Sequence, residues 1–141
     1  MSTRGRSWFL LVPMIAACTV LAWSLGVLLS EDVDDPDYLW EPVDVLIEQR
    51  LGLTALAHLI VAAAGFAYSR LRSRGETPPD AVIVPRLMIG IVIGIGYSVV
   101  TAPTIGANIG GGLVIMGAPF VLVGLAVVAV RAARRHHRAP T

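Results

Sequence analysis

Four predominantly apolar stretches run along the chain, separated by short polar segments: Trp8 to Leu29, Leu51 to Tyr68, Ala81 to Ala102 and Ile109 to Val130. Each is about 18 to 22 residues long, which at about 1.5 Å per helical residue covers the roughly 30 Å hydrocarbon core of a bilayer. Backbone groups inside lipid must find their hydrogen bonds within the segment, and uninterrupted runs of this length suit helices rather than the alternating strands of a barrel. The pattern predicts an all-α chain: an integral membrane four-helix bundle in which residues 1–141 form a single transmembrane domain whose main solvent is the lipid bilayer.

Arginine placement predicts the orientation. Arg4 and Arg6 precede the first span, Arg70, Arg72 and Arg74 follow the second, and Arg131, Arg134, Arg135 and Arg138 follow the fourth. The positive-inside rule puts all of these, and both termini, in the cytoplasm. The first outer loop then holds Arg50 among Glu31, Asp32, Asp34, Asp35, Asp37, Glu41, Asp44 and Glu48. Trp8 and Tyr68 fall at the cytoplasmic interface and Tyr38 and Trp40 near the outer one, where amphipathic rings prefer to lie.

Polar segments between the spans carry their own signals. Across Glu41 to Arg50, Val43, Leu46, Ile47 and Leu51 recur at helical spacing with Asp44 and Glu48 on the opposite face, which predicts a short interfacial helix running into the second span. The loop Arg70 to Asp80 is basic and broken by Pro78 and Pro79, and the Gly-rich turn Pro103 to Gly112 suits a tight turn or a re-entrant dip. Val12-Pro13 and Val84-Pro85 both open spans that start from the cytoplasm, a hint of a two-plus-two repeat, although proline is favoured in the first turn of any helix. Ile15-Ala16-Ala17-Cys18 resembles a bacterial lipobox, but the chain stays apolar for about eleven residues beyond the cysteine, so an intact first helix is expected.

Composition adds the class and excludes others. Apolar residues make up 55% of the chain against 15% charged, a balance no small soluble core accommodates. The net charge of +1 is segregated by position, so nothing supports nucleic-acid binding. All the basic residues are arginine, which fits a GC-rich genome and a place in a bacterial cytoplasmic membrane. The single cysteine forms no intrachain disulfide.

Chemistry-bearing residues inside the spans are few. His58, near the middle of the second span, is an intramembrane ionisable group and so a functional candidate. It shares a face with Thr54, Ala55, Ala62 and Gly65, small residues that let helices approach closely, so it is expected to face protein and to bond Thr19, Ser24 or Tyr97 on another helix. Haem ligation is disfavoured because His136 and His137 sit in the cytoplasmic tail. In the third and fourth spans Gly90, Gly94 and Gly117 are helix-packing candidates, and Pro119 removes the amide that would bond the carbonyl of Ile115, so a kink is expected there. The acidic run 31–37 lacks the glycine that an EF-hand loop needs and reads as a solvated loop, so neither a metal nor a cofactor is expected.

No nucleophile elbow, paired carboxylate, phosphate loop or zinc spacing occurs, so an enzyme is not expected. The pattern fits a non-catalytic subunit or assembly factor of a larger membrane protein complex, paired with other transmembrane helices in a homo- or hetero-oligomer. The alternative is a small oligomeric transporter or flippase that uses the third and fourth spans and His58; no carboxylate lies inside any span, which argues against the small multidrug exporter type.

Overall fold

A computed structural model describes residues 3–29, 38–77, 79–103 and 109–138, with side chains described at 10–28, 38–77, 79–103 and 109–135. The acidic run 31–37, expected as a solvated loop, and the centre of the Gly-rich turn, 104–108, expected as a tight turn or a re-entrant dip, lie outside the described residues. The helices are α1 (Thr3–Leu29), α2 (Asp44–Glu48), α3 (Arg50–Ser73), α4 (Asp80–Val100) and α5 (Ile109–Arg138), and the described residues include no strand. All four long helices are apolar and long enough to cross a membrane. Three of them overrun the predicted spans at their arginine-bearing ends, where long side chains can carry their charge past the hydrocarbon edge. The interfacial segment is shorter than the predicted ten positions: α2 has 5 residues, and Gln49 alone separates it from α3.

The α3–α4 connection is set by local chemistry. Gly75 takes a φ of 70°, and the amides of Gly75 and Glu76 donate to the carbonyls of Arg72 and Leu71 at 3.0 Å each, a Schellman closure that ends α3. Pro79 is extended and precedes Asp80, whose carboxylate sits at the positive end of α4. The Arg72 guanidinium grips that carboxylate with two bonds of 2.8 and 3.1 Å.

Packing follows the order α3, α1, α4, α5. Among the described residues no Cα of α3 comes within 8 Å of α4 or α5, nor of α1 within 8 Å of α5. The bundle is therefore open, a row rather than a ring. Helices α1 and α4 run parallel through its centre, because Ile15 and Thr19 meet Gly90 while Gly26, farther along, meets Ser98. Helices α3 and α5 flank them, and Ser24 against Thr54 together with Leu10 against Ala67 shows α3 running antiparallel to α1.

Glycine makes the central crossing possible. A Cβ on Gly90 would fall 2.5 Å from the carbonyl oxygen of Ile15, and one on Gly94 would overlap the carbonyl of Thr19 and lie 2.8 Å from the Cβ of Ala22. Backbone meets backbone here, with no side chain in between to absorb the strain. Such close approach is the gain that small residues bring to helix pairs in lipid, where no hydrophobic force draws helices together.

The repeat suggested by the two Val-Pro pairs has a counterpart in this packing. Pro13 lies ten residues into α1 and Pro85 five into α4, so neither is a first-turn proline. The register that matches Val12-Pro13 to Val84-Pro85 also matches Ala22 to Gly94 and Gly26 to Ser98, and both matched pairs touch, beside the offset contacts of Ile15 and Thr19. Two parallel copies related by an axis along the membrane normal meet in this way. The flanks agree: Ser24 of α1 meets α3, and its counterpart Gly96 of α4 lies 3.4 Å, at its Cβ position, from Val114 of α5.

Candidate functional site

Helix α3 carries His58 and its small neighbours, and its packing decides which of them face protein. Ala57 and Ala64, two turns apart, are buried against α1. Successive helical residues turn by about 100°, so His58 is rotated off this seam. It is exposed, as are Ala55 and Ala62, while Thr54 sits partly buried at the edge of the contact. The expectation that His58 faces protein is thus not met within one chain: the α3 seam runs through Ala57 and Ala64, not through the His58 face. Its predicted partners are not engaged either. Nδ1 instead lies 2.8 Å from the carbonyl oxygen of Thr54, one turn back on the same helix. A carbonyl only accepts, so Nδ1 carries the proton; in the neutral ring Nε2 is then a hydrogen-bond acceptor turned outward at membrane depth.

A short polar relay joins α3 to α1. The Thr54 hydroxyl donates to the carbonyl of Arg50 at 2.7 Å, which spends its one proton, so Ser24 is the donor in the 2.6 Å bond between Ser24 Oγ and Thr54 Oγ1. Ser24 is only 3% exposed, so this bond is the polar tie of the α1–α3 contact. Ser24→Ala should lower the thermal stability of the detergent-solubilised chain modestly. Interhelical bonds in membranes are worth about 0.6 kcal/mol on average and at most about 1.7.

Tyr97 belongs to the other side of α1. Its ring meets Trp23 edge-on, with centroids 6.3 Å apart at 62°, and both Tyr97 Oη and Trp23 Nε1 are buried without a hydrogen-bond partner among the described residues. Ser98 and Thr101 return their hydroxyls to α4's own carbonyls at 2.8 Å. Gly90 and Gly94 lie at the α1–α4 crossing described above. A Cβ on Gly65 or on Gly117 would meet nothing within 4 Å, and Pro119 is exposed on an α5 that continues unbroken past it. Helix α5 packs on α4 through other positions, among them Gly111 and Ala129. Helices α4 and α5 therefore do not enclose a pathway around Pro119 within one chain.

Arg86 is a site residue that the reading of the spans misses, because it lies close to the start of its own. Two turns into α4 and half-buried, its guanidinium donates to the carbonyl of Val82. Its spacing from Asp80 and its Arg-Leu-Met-Ile-Gly surroundings mark it as a cation at the polar edge of an otherwise apolar helix, a signal the sequence does contain. Among the described residues no group of three His, Cys, Asp or Glu could hold a metal ion.

Set beside protein-family models, curated proteins and solved structures, the chain matches none of them, and what bears on its function is its own residues.

Proposed function

We propose that the chain is a non-catalytic subunit or assembly factor of a larger membrane protein complex in a bacterial cytoplasmic membrane, with both termini cytoplasmic, and that it docks through the outward face of α3. One observation carries this reading: His58 stands at membrane depth on the open side of α3 with Ala55 and Ala62 beside it. A polar acceptor turned toward hydrocarbon has no partner in lipid, whereas a neighbouring helix supplies a donor, and the small residues beside it let that helix come close. Ordinary exposed leucines and valines, which cover α5, need no such partner.

The test is affinity isolation from native membranes in mild detergent. Wild type is expected to bring down a second transmembrane protein in fixed proportion. His58→Leu removes the acceptor and should weaken that association roughly 3- to 20-fold, the equivalent of about 0.6 to 1.7 kcal/mol, while His58→Gln retains part of it. Ala62→Trp, which blocks close approach, should abolish it. His58 and Ala62 are both exposed, so the chain's own thermal stability should hold in each variant. Isolation of the chain alone, or a partner indifferent to both substitutions, would sink the docking role. Proton-linked flux in vesicles containing only this protein, lost in His58→Gln, would favour the transporter instead.

A further inference from the structure

Between the parallel helices α1 and α4 an open groove of about 680 Å³ runs along one face of the row. Cys18, Leu21 and Leu25 line it from α1 and Ile91, Ile95 and Val99 from α4. Along α1 it extends from Cys18 to Gly26, and along α4 from Ile91 to Val99 with Ala102 just past the helix end, which at 1.5 Å per helical residue is roughly 12 Å or a little more. That is about half the 30 Å hydrocarbon thickness. The groove therefore spans one leaflet, the one on the α2 side, and stops near the middle of the bilayer.

At its α2 end the groove adjoins a second cavity of about 730 Å³, and Ser98 and Ala102 line both. The lining changes character there. Tyr38, Asp44, Glu48 and Arg50 join Ser98 and Thr101, so an apolar groove about one leaflet long adjoins a chamber lined by two acidic residues and one arginine. No ion pair among the described residues involves Asp44, Glu48 or Arg50, so their charges are not spent on one another. Volumes of this size are those of ordinary small-molecule sites, which run from about 300 to 1,000 Å³.

We propose that this composite cavity is a lipid-binding site for one phospholipid of the α2-side leaflet with a zwitterionic head that carries a phosphate and a primary ammonium. One acyl chain lies in the α1–α4 groove and the other stays among the surrounding lipid. In the chamber Arg50 takes the phosphate, and Asp44 and Glu48 take the ammonium, which has protons to donate to both. An anionic head without the ammonium leaves the two carboxylates facing the phosphate charge, and a trimethylated head has no N–H to give them. Short helix α2 is the element that brings both acidic residues to the chamber, one turn apart on the same face. The site does not depend on the docking role proposed for α3, since it uses only the first residue of that helix, Arg50, and not the face that carries His58.

The experiment uses the purified full chain, stripped of lipid in detergent and then offered equal amounts of dioleoyl phosphatidylethanolamine, phosphatidylglycerol and phosphatidylcholine. Retained lipid is counted by native mass spectrometry. One phosphatidylethanolamine per chain is expected, favoured about tenfold over each of the others. The double variant Asp44→Asn, Glu48→Gln should remove that preference while some lipid is still retained. Ile95→Trp fills the groove and should cut retention of all three lipids severalfold, whereas Val123→Trp, on the exposed face of α5, should leave it unchanged. Helical content and thermal unfolding of each variant show that the comparison is made on folded protein; Asp44, Glu48 and Ile95 are all exposed, so each substitution is accommodated. Equal retention of the three lipids, a preference that survives loss of both carboxylates, or retention indifferent to Ile95→Trp would overturn the assignment.

Discussion

Gly94→Val should separate α1 from α4 and leave little folded protein to recover from detergent. A Cβ at this position overlaps the Thr19 carbonyl, and the Ala22 Cβ lies 2.8 Å away, so the obstacle is backbone that cannot rotate aside. Overpacking a well-packed core with extra methyl groups typically costs about 1 to 3 kcal/mol. Valine adds three carbons where even one collides. Because α1 and α4 are the middle pair of the row, their separation also parts the α1–α3 hairpin from the α4–α5 hairpin. Gly94→Ala should show a smaller fall of the same sign, and Gly90→Ala, whose Cβ would lie 2.5 Å from the Ile15 carbonyl, a comparable one. Gly117→Ala is the control: it meets open space and should be neutral or slightly stabilising, since alanine is the better helix former. Thermal unfolding of the four variants in one detergent checks the order, and a Gly94→Val chain as stable as wild type would mean that α1 and α4 do not cross here.

An all-or-none outcome is expected for topology. In a Cys18→Ala background, a thiol reagent unable to cross the membrane should label Asp44→Cys in intact cells and leave Ser73→Cys unlabelled until the membrane is opened. Asp44 lies on the side of the acidic loop, whereas Ser73 lies among Arg70, Arg72 and Arg74. Arginines near span ends are held back from translocation, and three clusters of them coincide at one end of the row. The reverse labelling pattern would invert the proposed orientation and move the α2-side chamber to the cytoplasmic leaflet.

Much of the architecture is legible in the sequence. Long apolar runs become helices because lipid offers backbone groups no other partner, and that argument needs no knowledge of neighbours. Close packing at Gly90 and Gly94 is legible for a related reason, since small residues four apart on a helix in lipid have few other uses. The start of α3 follows from the interfacial pattern around Val43 and Ile47, although α2 is shorter than that pattern suggests because Gln49 interrupts the helix before Arg50.

The face that each helix turns to its neighbours is another matter. His58, Gly65 and Gly117 all sit in stripes of small residues, as Ala57, Ala64, Gly90 and Gly94 do. In a soluble protein the polar side of a helix would reveal its outward face. Here both faces are apolar, and hydrophobic periodicity carries little orientation. The packed structure is needed to show that α3 meets α1 through Ala57 and Ala64, turning His58 outward, and that Gly117 and Pro119 face away from α4.

The number of spans, their length and the segregation of charge between the two ends can all be read residue by residue, because each follows from the free energy of single side chains and peptide groups in lipid or water. The neighbour order α3, α1, α4, α5, the pairing of the two Val-Pro helices at the centre, and the placing of an apolar groove beside the chamber lined by Asp44, Glu48 and Arg50 emerge only once the helices are assembled. Those depend on shape complementarity between surfaces of nearly identical polarity, which no single helix specifies until its partner is in place.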